Sequence, residues 1–273
     1  MRGRSVTAIP PILLVGCGRM GGAMLAGWRE QGLAASVAVD PAAEAAALAG
    51  PDLLVVAEAA AIPAGFAPAA IVFAVKPQVA TATVGQYAGR FPGAVALSIM
   101  AGRTIGGLRA LLGAAAPIVR AMPNTPAAVR QGVTVACAGA GVSAAQRGLC
   151  ETLLRAIGAV AWVEDEALLD PVTAVSGSGP AYVFLLAELL EQAAIEQGIP
   201  ADLARLLARQ TVAGSGALLA ASPEDAAALR RAVTSPAGTT ERALQVLMAP
   251  DAWPAALSRA IAAATERSRE LAG

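Results

Sequence analysis

Ile12-Leu13-Leu14-Val15 runs directly into Gly16-Cys17-Gly18-Arg19-Met20-Gly21, and the order strand, glycine turn, helix at this junction decides the reading of the fold. Four consecutive apolar residues suit a strand covered on both faces, as in a parallel sheet. The glycines Gly16, Gly18 and Gly21 then fall where a tight turn, a close approach of backbone to pyrophosphate and helix–strand packing each exclude a side chain. The next segment, Gly21–Gln31, carries Met24, Leu25 and Trp28 at helical spacing, and the amino terminus of such a helix attracts phosphate through its free N–H groups. Asp40 ends a second apolar run, Ser36–Val39, about 20 residues beyond the motif, where an acid accepts the ribose 2′-hydroxyl of NAD. The other role open to Asp40, given Pro41 at the next position, is to face solvent or to cap the following helix. A 2′-phosphate beside Asp40 would be repelled by up to ~4 kcal/mol at close range. Residues 41–49 offer no cation to offset this, and Arg19 is the one that could swing across.

Outward from this junction, short apolar runs keep alternating with helical patterns, the mark of βαβ units on a parallel sheet. Further strands are expected at Ile71–Val75, Ala94–Ser98, Ile118–Arg120 and Val133–Ala136. Carboxyl ends of strands line the ligand crevice of an open α/β sheet. Ala74-Val75-Lys76-Pro77 therefore belongs to the coenzyme site, and Lys76, the only lysine in the chain, is placed for a phosphate or ribose unless it is simply solvated. Past Glu164 the strand signal stops. Helices are expected over residues 181–197, stopped by Gly198, over 201–220 after Pro200, and from Pro254 to Leu271. Another is expected to open at Ser222-Pro223-Glu224-Asp225, read as N-cap, N1 proline and acidic first turn. The fold class is α/β: an N-terminal Rossmann-type doubly wound parallel sheet, residues 1–165, followed by an all-helical substrate and dimerisation domain, residues 166–273. The helical half is apolar on more than one face, as Ala204, Leu206, Leu207, Ala208, Val212, Ala213 and Leu218 illustrate. Such helices need burial on several sides, which points to oligomerisation or to a tightly packed monomeric bundle.

Composition removes whole classes of chemistry. The 273 residues carry 20 Lys+Arg against 20 Asp+Glu and are 3% aromatic, with no basic excess for nucleic acid. There is no histidine, which excludes Ser-His-Asp and Cys-His catalysis and histidine metal sites. Cys17, Cys137 and Cys150 are far apart and odd in number, suggesting neither a zinc site nor a disulfide framework, so no metal is expected and a reducing compartment fits. Arg2 and Arg4 ahead of an apolar stretch ending at Cys17 imitate a lipoprotein signal, but the run is short, broken by Pro10-Pro11 and continuous with the glycine motif. No run approaches the ~20 apolar residues of a membrane span without a Gly or Pro interruption. A cytoplasmic protein without membrane attachment is expected.

The missing acids also bear on the reaction. Reducing a ketone creates an alkoxide that needs a proton donor with pKa near 7, usually His, Lys or Tyr. The single lysine and the tyrosines Tyr87 and Tyr182, remote in sequence, do not supply one. A protonated C=N bond is already electrophilic and its reduction leaves a neutral amine, so positioning, a hydroxyl near nitrogen and a polar pocket suffice. Two loops offer hydroxyls and backbone N–H groups ahead of a helix, Ser176-Gly177-Ser178-Gly179-Pro180 and Thr234-Ser235-Pro236-Ala237-Gly238-Thr239-Thr240. Either suits a carboxylate, although Thr239 and Thr240 could equally be N-caps.

Together with Arg120-Ala121-Met122-Pro123-Asn124-Thr125-Pro126 and Thr265-Glu266-Arg267-Ser268-Arg269-Glu270-Leu271, these motifs resemble the pyrroline-5-carboxylate reductase family along almost the whole chain. The resemblance implies hydride transfer from NADPH, with NADH as alternative, to 1-pyrroline-5-carboxylate, giving L-proline. It implies a site formed between the nucleotide domain of one subunit and the helical domains of an interlocked homodimer, often built into decamers. Thr240 matches the threonine whose hydroxyl meets the ring nitrogen. Ser235, Gly238 and Thr239 match the carboxylate-binding loop, Glu166 an acid near the substrate, and Ala101, Gly102 and Asn124 the nicotinamide surroundings. Gly16, Gly18, Arg19, Met20, Gly21, Asp40, Ala74, Val75, Lys76 and Pro77 complete the coenzyme set. Three departures stand out: Arg19 where asparagine is common, Ala237 where glycine is usual, and Asp40 against a frequent NADPH preference. Reduction of another cyclic imine, such as piperideine carboxylate, and a silent dinucleotide-binding scaffold are the competing readings.

Overall fold

The computed structural model describes residues 9–272, so Arg2 and Arg4 lie outside the described residues. Eight strands form one sheet in the order β3-β2-β1-β4-β5-β6-β7-β8: β1 Ile12–Val15, β2 Ser36–Val39, β3 Leu53–Val56, β4 Ala70–Phe73, β5 Val95–Ser98, β6 Ile118–Met122, β7 Gly132–Ala138 and β8 Gly158–Val163. Neighbours from β3 through β6 are parallel, β7 runs antiparallel to β6, and β8 is parallel to β7. The doubly wound order puts β1 inside the sheet, flanked by β2 and β4. Its side chains alternate between two cores: Ile12 and Leu14 join one with Met24, Leu25 and Trp28, while Leu13 and Val15 join the other with Phe73 and Tyr87. Each such fully buried side chain contributes about 1.5–3 kcal/mol relative to exposure.

Two strands escaped the sequence pattern. β3 is a four-residue edge strand following Gly50-Pro51-Asp52, and its Leu54 is 46% exposed. β8 is an edge strand that opens on Gly158 and carries alanine at 159 and 161, and neither residue favours a strand. Helices α1 Arg19–Glu30, α2 Ala80–Val84, α3 Ile105–Leu112, α4 Ala144–Arg155 and α5 Leu169–Val172 connect or flank these strands. Gly16 needs its φ of +96° for the turn out of β1, a region costly for residues bearing a Cβ.

The chain separates into two compact units, one ending at Gly177 and resumed from Ala264, the other Ser178–Ala263. Residues 166–177 and the end of the last helix thus fall with the nucleotide-binding sheet. The second unit holds α6 Gly179–Glu196, α7 Ala201–Ala221, α8 Ala226–Ala232, α9 Thr239–Leu247 and the first part of α10 Trp253–Ala272. As expected, α6 stops at Gly198: with φ +85° this residue donates to Ile195 O while Ile199 N donates to Ala194 O, a Schellman ending. The cap of α8 is not Ser222. Asp225 accepts from Ala228 N at 2.6 Å, and Ser222 closes α7 and accepts from Glu224 N. Asp225 lies immediately before the first helical residue, the geometry a cap requires, so Pro223 precedes the helix rather than opening it.

The Ser176–Pro180 segment also differs from expectation. Thr173–Gly177 forms a π-turn in which Ser176 Oγ donates back to Val172 O at 3.0 Å, and α6 follows at once with Pro180 in its first turn. By length and composition alone the stretch Glu166–Glu196 is apolar enough to cross a membrane, with an 18-residue window of mean hydropathy 1.3. Among residues 178–263 only Ala204 and Ala208 are buried, while Phe184 is 66% and Val246 70% exposed.

Candidate active site

The coenzyme end of the site is built around the turn after β1. A Cβ on Gly21 would lie 2.1 Å from Gly16 O, and one on Gly16 would press on Ala74 and Val75 at 2.9 Å. At Gly18 a Cβ would meet nothing within 4 Å, and Gly18 lines a cleft of about 530 Å³. Two glycines therefore make the packing possible while the third keeps the mouth of the loop clear for a phosphate, and α1 begins there at Arg19 with no side chain capping it. The residues fit a dinucleotide.

Asp40 holds this loop. Its Oδ2 accepts from Cys17 N at 2.6 Å and its Oδ1 from Ala42 N at 2.9 Å. The second bond closes an Asx turn through Pro41; the helical turn that follows, Ala43–Leu48, has Ala42 as its N-cap with no side-chain cap, so Asp40 does not cap it, and Asp40 lines the cleft. Burial, with a contribution from Asp40, pushes the Cys17 thiol up to about 11, so it stays protonated at neutral pH and is no nucleophile.

Around the same cleft stand Ala74, Val75 and Lys76 after β4, Glu58 after β3, and Thr83, Gln86 and Tyr87 from α2 and the turn beyond it. Tyr87, remote in sequence, is brought to the cleft wall, and its burial pushes the phenol up to about 12. Pro77 lies behind Lys76, where its carbonyl accepts two bonds from the Arg103 guanidinium, Nε at 3.1 Å. That clamp ties the segment after β4 to the one after β5, where Ala101 and Gly102 sit. Gly102 has φ +67°, and a Cβ there would lie 2.8 Å from Leu271 O of the last helix. Asn124 is nearly buried after β6 and uses Oδ1 to accept from Val133 N at 2.9 Å.

Glu166 sits at the close of the sheet region. One carboxylate oxygen, Oε1, accepts from Ile105 N at 2.8 Å and from Arg120 Nη1 at 2.9 Å. Arg120 is 2% exposed, and its Nε and Nη2 have no partner among the described residues, so Glu166 neutralises a buried cation and holds the amino terminus of α3. Sequence reading named Glu166 but missed its counter-ion 46 residues away.

In the second unit, Ser235, Gly238, Thr239 and Thr240 gather within one turn at the start of α9. Gly238 is its N-cap, and no side chain caps it, which sets aside the capping role for either threonine. Gly238 N donates to Ser235 O, and Ala237, at φ +59°, donates its N–H to Glu241 Oε2 at 2.8 Å. The missing glycine therefore leaves an alanine in left-handed backbone.

Glycine cradle, dinucleotide-sized cleft and appended helical unit define an NAD(P)-dependent oxidoreductase. Residues 11–102 match a family model described as NADP oxidoreductase, coenzyme F420-dependent, and residues 166–271 one described as pyrroline-5-carboxylate reductase dimerisation. Pyrroline-5-carboxylate reductase of Pseudomonas aeruginosa is 42% identical over 267 residues, 96% of this chain and 97% of that one. The solved pyrroline-5-carboxylate reductase of Coxiella burnetii superposes with a TM-score of 0.88 at 31% identity, covering 97% of this chain and 99% of its own. The pyrroline carboxylate reductase of Plasmodium falciparum, solved with NADP bound, gives 0.80 at 26%, covering 96% and 100%. The chain belongs to the pyrroline-5-carboxylate reductase family.

Proposed function

We propose that the chain reduces 1-pyrroline-5-carboxylate to L-proline with NAD(P)H, the last step of proline biosynthesis. The observation that carries this reading is the joining, in one chain, of the glycine cradle after β1 to a helical module of the pyrroline-5-carboxylate reductase dimerisation family. The bound coenzyme supplies a hydride to carbon. Gly16, Gly18 and Gly21, with Arg19 and Met20, receive the pyrophosphate, Asp40 the adenosine ribose, Ala74–Pro77 with Lys76 a phosphate or ribose, and Ala101, Gly102 and Asn124 the nicotinamide. Ser235, Gly238 and Thr239 surround the substrate carboxylate with the two hydroxyls and the N–H groups that open α9, where the helix field favours an anion. The Thr240 hydroxyl meets the ring nitrogen and Glu166 supplies an acid near the ring. Because the substrate carries its own proton on nitrogen, these residues need only bind and orient.

The apolar surface of the helical unit is covered by a second copy, making a homodimer that assembles further, with the decamer as the expected form. That burial, rather than a bilayer, accounts for the exposed face of α6, and the protein works in the cytoplasm without nucleic acid. The test is loss of NAD(P)H absorbance on adding pyrroline-5-carboxylate to the purified protein. Turnover is expected with proline as product; coenzyme binding without substrate-dependent oxidation refutes the proposal.

A further inference from the structure

The wall of the coenzyme cleft carries two carboxylates and one cation, and their arrangement is asymmetric. Asp40 follows β2 and Glu58 follows β3, the two strands on one side of β1, whereas Lys76 follows β4 on its other side. Asp40 is locked, because each carboxylate oxygen already accepts a backbone N–H, from Cys17 and from Ala42. A carboxylate has about four acceptor sites, so those left over remain to take a ribose hydroxyl. Glu58 is exposed at the cleft, and no side-chain partner is found for it among the described residues. Other cations near this wall are engaged elsewhere. Arg90 donates to Ala59 O at 2.7 Å and lies over the Phe91 ring, and Arg103 is bound to Pro77 O. Arg19 opens α1 at the phosphate side and is not among the lining residues.

We infer that Asp40 and Glu58 make this cleft selective for the coenzyme with a free adenosine 2′-hydroxyl, NADH, over its 2′-phosphorylated counterpart. The inference deepens the proposed function and rests on it for the class of coenzyme. A neutral hydroxyl satisfies the spare acceptors of Asp40. A 2′-phosphate brings no proton to share with them and sets its own charge against two carboxylates in a cleft that focuses the field. Family membership does not decide the matter, since the Plasmodium falciparum structure is described with NADP bound.

The experiment is calorimetric titration of the intact protein with ADP-ribose and with 2′-phospho-ADP-ribose, fragments that bind without chemistry. ADP-ribose is expected to bind about tenfold or more tightly, given the repulsion between close like charges. The ratio is expected to shrink severalfold in E58Q, which loses charge but no contact, and in D40N, which keeps an oxygen for Cys17 N–H. Equal affinities in the wild-type protein, or tighter binding of the phosphorylated fragment, overturn the inference. So does a preference that both variants leave untouched. Turnover of pyrroline-5-carboxylate is measured separately with both coenzymes. Activity without selectivity refutes this inference alone, while selective binding without activity refutes the reaction alone.

Discussion

Replacing Glu166 by alanine removes the carboxylate bound to a guanidinium that has lost nearly all contact with water. Arg120 is 2% exposed, and its Nε and Nη2 lack partners even in the intact protein, so nothing else described takes up the charge. Stranding one member of a buried pair costs about 3–5 kcal/mol. Glu166 is 28% exposed, and water entering its vacated position holds the loss to about the lower end of that range. The N–H of Ile105 loses its acceptor too, adding roughly 1 kcal/mol. A total of about 4 kcal/mol lowers Tm by roughly 8–16 °C for a unit of this size. Calorimetry and urea unfolding measure both quantities. E166Q, which can still accept from Ile105 N and Arg120 Nη1, should lose about half as much. In R120M/E166Q the stranded charge is gone, and the double variant should be more stable than R120M and E166Q would give if additive, by about 1–3 kcal/mol. An E166A protein that unfolds within about 2 °C of wild type, or a double variant with purely additive loss, would refute the reasoning.

Gly21→Ala drives a Cβ into Gly16 O and should weaken coenzyme binding at least about tenfold, since it pushes α1 off the turn that aims its amino terminus at the pyrophosphate; unchanged titration curves would contradict this. At Ala237, φ +59° predicts the stability order glycine at or above alanine, and valine below alanine by about 1 kcal/mol or more, because left-handed backbone penalises a branched side chain most. Thermal unfolding of A237G and A237V checks the order. Burial raises Cys17 to about 11, Tyr87 to about 12 and Cys150 to about 12. A group whose folded pKa is raised adds stability that is complete below its unfolded pKa and disappears as pH rises through the folded one. Stability should therefore fall between about pH 9 and 12, with C150A showing a shallower decline; a flat profile there would count against the burial of these groups. Dilution should lower the unfolding midpoint of the helical unit, as for any fold completed by association, and a concentration-independent midpoint would speak for self-sufficient packing.

The parts of the fold readable in the sequence are those where one local pattern has one structural solution. Four buried residues followed by spaced glycines leave little besides β1, its turn and α1. β3 and β8 were missed because edge strands bury one face at most, and Leu54 and the alanines of β8 carry no alternation strong enough to mark it. Ser222 misled because a serine followed by proline and two acids satisfies capping rules locally, whereas the end of α7 fixed the serine first. The π-turn over Thr173–Gly177 was hidden for a related reason: glycines and serines read as a loop, but the Ser176 hydroxyl closes on a carbonyl one turn back and satisfies it within the turn.

The site divides along the same line. Asp40 was legible as an acid at the end of a strand, but its two backbone bonds depend on where β2 places it beside the glycine turn, which no spacing rule contains. Glu58 and Tyr87 have no motif and become wall residues only because β3 and the turn after α2 end at the same edge of the sheet. Arg120 reads as one more strand residue until Glu166, 46 positions on, is seen to approach it. The helical unit poses the reverse case: its sequence demands more burial than one chain provides, with Phe184 and Val246 left in water. Roughly 25 cal/mol attaches to each Å² of apolar surface removed from water, so covering these helices is worth more than most contacts within the unit. For residues 178–263, then, association supplies stabilisation that in an ordinary domain comes from its own core, and the sequence states that requirement plainly in helices apolar on several faces.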